Sequence, residues 1–257
     1  MRNVFAIQLF QLKKDKVILF LTFVAFVTVA FISFYPSTVV VEMQHNASNY
    51  ASQMSFLSAS IAAVMVLVSV GYIMCRDFDD NTVNYEILYG YSRNAIFWTR
   101  GIISIVYAIF ISLFVVAMPA LVIAIIYGWG NYVTVFSFVK RCLVFIPLVL
   151  NITSLFILIA VLTKKTYLTY LVGLALGLLR MSITSDFEFP YISFFNAGMS
   201  LFYSFEFHGS MHIDKTFSIS IIDTLGKGDI CSIVVSSLIF SAVCLSVANS
   251  FFNRDDI

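Results

Sequence analysis

Six long runs of apolar residues dominate the sequence and limit the folds that it can adopt. A helix needs about 20 mostly apolar residues to cross a hydrocarbon core of roughly 30 Å, and each run has about that length. The strands of a membrane barrel would instead alternate between polar and apolar residues, which these runs do not do. The predicted spans are Val17–Phe34, Met54–Cys75, Gly101–Tyr127, Cys142–Leu162, Thr166–Ile183 and Ile230–Phe252.

The composition excludes most alternatives to a membrane protein. Of the 257 side chains, 60% are hydrophobic and only 11% are charged, whereas a soluble domain has about 25% charged residues. One soluble core of this size cannot bury so much apolar surface, so soluble enzymes, nucleic-acid binders and disordered proteins are poor candidates. We therefore predict an all-α membrane protein with one domain over residues 1–257, in contact with the lipid bilayer and not with nucleic acid.

Two of the predicted spans are irregular. The third is long enough to tilt, and Pro119 is a plausible hinge within it. The fifth is interrupted by Arg180, whose long side chain must extend toward the membrane surface.

Two interpretations fit residues 1–16. Phe5, Leu9 and Leu12 fall on one helical face, which is typical of a helix that lies in the cytoplasmic interface. The alternative is an ordinary basic flank of the first span.

The distribution of basic residues predicts that both termini are cytoplasmic. With that orientation, ten basic residues lie in inner segments and five in outer segments or outer helix ends, as the positive-inside rule requires. Lys140 and Arg141 oppose this locally, at the outer start of the fourth span. The expected location is the cell membrane, with multiple passes.

Little of the sequence indicates catalytic or metal chemistry. His208 and His212 have the spacing of two ligands on one helical turn, but Gly209 disfavours a helix and solvent-exposed histidines explain them better. No span has an Asp, Glu or Lys in its middle, as an ion-coupled carrier or an intramembrane protease usually requires. We expect no catalytic residue, no metal site and no cofactor bound by this chain.

The inner loop 76–100 has the most specific pattern. Asp80 to Thr82 can cap a short amphipathic helix, apolar residues then recur at helical spacing, and Gly90 is a natural end. Ser92 then begins a segment that continues into the third span. The alternative is a solvated connecting loop.

This loop resembles that of the permeases of ABC-2-type transporters, the transmembrane subunits of bacterial exporters. Their loop has an acidic residue, Gly-Thr, Leu, a turn, Ser-Arg and a further basic residue. The corresponding positions here are Asp79 or Asp80, Asn81-Thr82, Leu88, Gly90, Ser92-Arg93 and Arg100. Asn81 replaces the usual Gly, and both tolerate the left-handed conformation. The ending Phe252-Asn253-Arg254-Asp255 is similar to that of the family as well.

The resemblance implies a subunit without an ATP site of its own, and the chain indeed has no Gly-x-x-x-x-Gly-Lys-Ser/Thr loop. Two copies of a cytoplasmic ABC ATPase would bind ATP and Mg and receive the short inner helix in a groove. Val83, Ile87 and Leu88 would be buried there, with Glu86 paired to a basic residue on the rim. The expected coupling residues are Asn81, Thr82, Val83, Tyr85, Glu86, Ile87, Leu88, Tyr89 and Arg93.

A dimer contact or translocation path is predicted at the small residues of the fifth and second spans. Gly173 and Gly177 are four residues apart, which lets helices approach closely in lipid. Ser55 and Ser58 make the second span similarly small-sided. Packing within one subunit explains the glycines equally well, and a homodimer and a heterodimer with a similar permease both remain open.

The outer segment 184–229 includes an apolar stretch that is too short to span a membrane. The resemblance implies re-entrant or interfacial helices there, which would cap the cavity. The function expected from all of this is export of an amphipathic substrate, such as a small or antimicrobial peptide, driven by the partner's ATP hydrolysis. The alternative is an ATP-independent polytopic protein, that is, a membrane enzyme, sensor or secondary transporter, whose inner loop binds another partner.

Overall fold

The computed structural model describes residues 2–34, 46–79, 86–131, 133–183, 201, 205–211, 217–223 and 226–254. Most of these residues are helical. The α-helices are α1 Arg2–Lys14, α2 Lys16–Phe34, α3 Ala47–Asn49, α4 Ser55–Asp79, α5 Arg93–Tyr127, α6 Val135–Thr163, α7 Thr166–Ile183 and α8 Lys227–Arg254. A π-helical turn, Tyr50–Met54, joins α3 to α4.

Five of these helices are long and apolar enough to cross a membrane. They are α2, α4, α5, α6 and α8, and their most apolar windows have a mean hydropathy of 2.2 to 3.0. The protein is therefore a multi-pass membrane protein. The predicted fifth span forms the helix α7 with the expected ends, but its described apolar stretch, Thr166–Gly177, is shorter than the others.

The helix ends lie outside the apolar runs because polar caps lie there. Ser92 accepts a hydrogen bond from the backbone N–H of Ala95, so α5 begins eight residues before the predicted start at Gly101. Thr134 caps α6 in the same way, through the N–H of Ser137 at 3.2 Å. Pro119 lies inside the continuous helix α5.

The outer face of α2 is strongly apolar and exposed, as a lipid-facing surface should be. Phe20, Phe23 and Phe31 each expose more than 60% of their side chains. The opposite face, which includes Ala25 and Val29, is buried against the other helices. This distribution is favourable in lipid and would be unfavourable in water.

Helix α6 is at the centre of the bundle. Its interface with α8 is the most extensive between any two of the described helices, and it also packs against α4 and α5. Phe145, Leu148 and Ile157 are completely buried in this core.

The two ends of the bundle are defined by contacts between distant segments. At one end, Phe252 near the end of α8 lies 5.6 Å from Phe97 at the start of α5, between ring centroids. The Cys75 sulfur near the end of α4 lies 3.2 Å from the Thr169 hydroxyl oxygen at the start of α7. We call this the N-terminal end, because α1 also packs there. At the opposite end, the N–H of Ser48 donates to the Trp129 carbonyl at 2.7 Å.

The segment between α7 and α8 differs from the expected re-entrant or interfacial helices where it is described. Residues Phe205–Met211 and Phe217–Asp223 form the strands β1 and β2 of an antiparallel sheet, in which Phe205 is opposite Asp223. Helical spacing therefore does not apply to His208, which is in β1 and pairs with Ser220, while His212 lies outside the described residues. Alternating residues such as Phe-Ser-Ile-Ser-Ile from Phe217 favour a strand.

The outer segment also contacts the fourth predicted span. Arg141 is completely buried in α6 and donates a hydrogen bond to the carbonyl of Leu201. Its charge is therefore held inside the protein and not in a loop.

We expect Gly71→Ala to destabilise the protein. A methyl group at Gly71 would lie 2.6 Å from a ring carbon of Tyr170, and the Tyr170 hydroxyl is fixed by a 3.1 Å hydrogen bond to the Val68 carbonyl. Overpacking of this kind costs about 1–3 kcal/mol. The matched control is Gly101→Ala, also in a helix and buried, where no heavy atom of the described residues lies within 4 Å of the added carbon.

Thermal unfolding in a mild detergent measures both variants. The control should be as stable as the wild type or slightly more stable, because Ala favours helices over Gly by up to about 1 kcal/mol. Equal stability of the two variants would contradict the packing of α4 on α7.

Candidate functional site

Asp15 separates α1 from the first span. It is the one residue between the two helices, and its carboxylate accepts a 2.8 Å hydrogen bond from the backbone N–H of Val17, which caps α2. The carboxylate also accepts hydrogen bonds of 2.9 and 3.1 Å from the Tyr72 hydroxyl and forms an ion pair with Arg76. Of the two interpretations of residues 1–16, the structure supports a separate helix. We call Asp15, Tyr72 and Arg76 the elbow cluster.

A second polar cluster joins α1 to the inner loop. Glu86 accepts a 2.7 Å hydrogen bond from the Arg100 guanidinium and a 3.0 Å hydrogen bond from the Gln8 amide. Arg100 is only 1% exposed, so the carboxylate supplies a counter-charge to a buried cation. We call Gln8, Glu86 and Arg100 the loop cluster.

The two clusters connect four segments at the N-terminal end. Through the elbow cluster, the junction of α1 and α2 is bound to the last turns of α4. Through the loop cluster, α1 is bound to the helical turn at residues 86–88 and to the first turns of α5. The loop is therefore connected to α1 and to α5 by charged hydrogen bonds, which are about twice as strong as neutral ones.

The end of this helical turn confirms the predicted role of Gly90. Gly90 has a φ of +88°, the N–H of Gly90 donates to the Ile87 carbonyl, and the N–H of Tyr91 donates to the Glu86 carbonyl. These two bonds form the C-terminal capping motif that requires a left-handed residue. Ser92 then caps α5, as predicted.

The side chains of the turn divide between the protein and its surface. Leu88 and Tyr89 are 81% and 83% exposed. Ile87 is half-buried and packs against the hydrophobic core of this chain. Docking of Ile87 in a partner stays a prediction, and within this chain Glu86 pairs with Arg100. Among residues 86–89, Leu88 and Tyr89 are the exposed apolar side chains.

The structure gives less information on the other predicted coupling residues. Asn81, Thr82, Val83 and Tyr85 lie outside the described residues. Arg93 is half-buried in the first turn of α5.

Most of the predicted dimer residues make packing contacts or hydrogen bonds within the chain itself. A methyl group at Gly173 would lie 2.4 Å from a Leu67 methyl carbon, so this glycine serves the packing of α7 on α4. Ser58 is buried and bonds to the Tyr50 hydroxyl at 2.8 Å, and Ser55 bonds to the Ala51 carbonyl. At Gly177, by contrast, no heavy atom of the described residues lies within 4 Å of the carbon that a change to Ala would add.

Sequence reasoning missed the residues that hold this site together: Gln8, Asp15 and Tyr72. One signal was available for Asp15, since a single carboxylate between Lys14 and Lys16, directly before an apolar run, is typical of a helix N-cap. No comparable local signal marks Gln8 or Tyr72, whose partners are distant in the sequence.

Comparison with known proteins does not assign the chain to a family. No protein-family model matches the sequence, and no curated protein matches it significantly.

We expect Glu86→Gln to destabilise the protein by about 1–3 kcal/mol, because it leaves the buried Arg100 cation without its counter-charge. Arg100→Gln should also destabilise it. The double variant Glu86→Gln with Arg100→Gln should lose less stability than the sum of the single losses, since it buries no uncompensated charge. The measurement is thermal unfolding of the wild type, the two single variants and the double variant in the same detergent, which together form a double-mutant cycle. Additive losses would show that the two side chains do not interact.

Proposed function

We propose that the protein is the transmembrane subunit of an ATP-driven exporter of the ABC-2 type. A separate cytoplasmic ABC ATPase, in two copies, binds ATP and Mg and supplies the energy. Two permease chains, identical or similar, form the transport unit with it. The proposal rests on the sequence resemblance and on the geometry of the loop between α4 and α5.

The observation that carries the proposal is the exposed pair Leu88 and Tyr89 on a fixed turn. The turn is held from within by Ile87 in the core and by the ion pair of Glu86 with Arg100, and it ends at a left-handed glycine. Burying one large apolar side chain contributes roughly 1.5–3 kcal/mol, so two exposed ones on a rigid support provide a docking surface. A simple connecting loop needs neither the support nor the exposed surface.

The same geometry provides a route for coupling. The loop cluster attaches the turn to the start of α5, which then continues without interruption for 35 residues through the bundle. Movement of the turn by an ATPase would tilt or shift this helix and, through Gln8, α1. ATP binding would in this way change the relative populations of inward-open and outward-open states.

Contacts at the two ends of the bundle support six spans. Helix α7 starts at the N-terminal end, where Thr169 contacts Cys75, and α8 returns to that end at Phe252. In our proposal the chain crosses the bundle between these points, and α7 makes the crossing. Its 18 residues extend about 27 Å at 1.5 Å per residue. Both termini then lie on one side, which the basic residues predict to be the cytoplasm.

The substrate class follows from the spans, which contain no acidic residue or lysine in their middle. An amphipathic molecule, such as a small peptide, is suited to a path without charged ligands. Gly177 is the predicted small residue on α7 that remains available for contact with a second permease.

Cysteine labelling tests the six-span topology. In a cysteine-free background, single cysteines at Asn131 and Gly228 should react with an impermeant maleimide in intact cells. A cysteine at Lys165 should react only after permeabilisation. All three positions are at turns or helix ends. Labelling of the Asn131 and Gly228 variants on opposite sides would show that α7 does not cross.

Replacing the exposed pair tests the ATPase partner. Leu88→Ala with Tyr89→Ala should weaken ATPase association at least about tenfold, because each change removes more than about 1.4 kcal/mol of burial. The matched control is Ile125→Ala. Ile125 is 85% exposed and lies near the end of α5, at the opposite end of the bundle. Co-purification of a Walker-motif protein in mild detergent and substrate-stimulated ATP hydrolysis are the measurements.

Stability should not change in either variant, since the altered side chains make few contacts within the chain. If the double variant retains wild-type association and hydrolysis, or if no ATPase associates with the wild type, the loop serves an ATP-independent protein with another partner.

A further inference from the structure

A cavity with a partly polar lining lies outside the proposed docking surface, at the junction of α1, α2 and α4. Its lining includes Gln8, Gln11, Leu12, Asp15, Tyr72 and Arg76. The Arg76 side chain is 46% exposed and lies over the Tyr72 ring, with 5.6 Å from the guanidinium carbon to the ring centroid. The cavity therefore offers a cation, amides and an aromatic ring at the edge of the membrane.

Three exposed lysines surround the same junction. Lys13 and Lys14 end α1, Lys16 begins α2, and all three side chains are exposed. Asp15, the acid between them, is 5% exposed and already accepts bonds from Tyr72, Arg76 and the N–H of Val17. The surface of the junction is thus positively charged, and its carboxylate is turned inward.

Apolar side chains are exposed on both sides of this charge. Phe10 on α1 is 60% exposed, and the Lys14 ammonium lies 4.4 Å from its ring centroid. Leu9 is 43% exposed, and Phe20 on the other side is 64% exposed. A free phosphate would use only the cations, whereas a molecule with both phosphate and acyl chains would use these side chains as well.

We propose that this junction binds the headgroup of an anionic phospholipid. The phosphate is held by Arg76 and the lysines, the exposed amide of Gln11 bonds to the glycerol or headgroup hydroxyls, and the acyl chains lie along Phe10 and Phe20. Basic clusters next to a membrane span attract anionic lipids, which supports the assignment. A zwitterionic headgroup is a poorer fit, because the one carboxylate among the described lining residues, that of Asp15, is buried and already bonded.

Native mass spectrometry of the purified full-length chain in a neutral detergent tests the proposal. The probes are phosphatidylglycerol and phosphatidylcholine with identical acyl chains, and soluble glycerol phosphate. We expect tighter binding of phosphatidylglycerol and an increase in the thermal unfolding midpoint on its addition. Equal binding of the two lipids, or equally tight binding of glycerol phosphate, would overturn the assignment to an anionic lipid.

A matched pair of lysine variants locates the site. Lys13→Gln with Lys14→Gln should weaken phosphatidylglycerol binding by about tenfold. Lys164→Gln with Lys165→Gln removes an adjacent pair from the turn between α6 and α7, at the same end of the bundle, and should change it little. An equal loss in both variants would show general attraction to basic residues and would refute the site.

The folded state of the variants is checked without lipid. Because Lys13 and Lys14 are exposed, their unfolding midpoint in detergent alone should match that of the wild type. If it does not, Lys16→Gln and Arg76→Lys provide a second comparison. The first should weaken lipid binding, and the second should retain it, because it keeps the charge. If Lys16→Gln binds phosphatidylglycerol as tightly as the wild type and with the same preference over phosphatidylcholine, this result would count against the proposal.

Discussion

A hydrocarbon environment supplies no hydrogen bonds and little screening of charge, and the organisation of this protein follows from that constraint. Backbone groups are satisfied within helices, and side-chain charges are costly unless they reach the membrane edge or find a partner. The charged residues with described ion pairs, Asp15 with Arg76 and Glu86 with Arg100, all lie at the N-terminal end of the bundle. The described ion pairs between helices are therefore at that end, whereas neutral hydrogen bonds such as that of Tyr50 with Val116 connect the other end.

Two carboxylates organise that end. Asp15 caps α2 and binds the end of α4, and Glu86 joins the loop to α1 and α5. Each carboxylate neutralises an arginine, of which Arg100 is buried and Arg76 is half-exposed, and accepts a further neutral hydrogen bond. The result is a small frame of four segments, in which the turn that carries Leu88 and Tyr89 cannot move independently of α5.

The proposed functions of this frame are different and are compatible with each other. The surface of Leu88 and Tyr89 faces outward from the loop, whereas the cationic junction lies between α1, α2 and α4. Gln8 belongs to both, since its amide bonds to Glu86 and it lines the cavity. Binding of a lipid at the junction would therefore affect α1, and α1 contacts the loop directly.

Much of the architecture follows from the sequence, because local chemistry decides it. The apolar runs predicted six spans, of which five are long apolar helices in the structure and the sixth is α7 with the expected ends. Gly90 and Ser92 marked the end of the loop turn and the start of α5. Predictions were less accurate where the cap was upstream of the apolar run, as for α6, which begins at Val135 because Thr134 caps it there. The strands β1 and β2 were not predicted, because the resemblance implied helices for this segment.

The site itself depended on distant pairings. Periodicity alone placed Val83, Ile87 and Leu88 on one surface, but the core of this chain takes Ile87 and leaves Leu88 exposed. Likewise, a motif of two glycines does not reveal that Gly173 packs on Leu67 while Gly177 stays open. The sequence by itself determined that the chain enters a membrane as helices and where they are capped, because burial in lipid and backbone capping act over neighbouring residues. Only the tertiary structure decided which charges meet, because Glu86 and Gln8, or Asp15 and Arg76, become neighbours only when separate helices pack side by side.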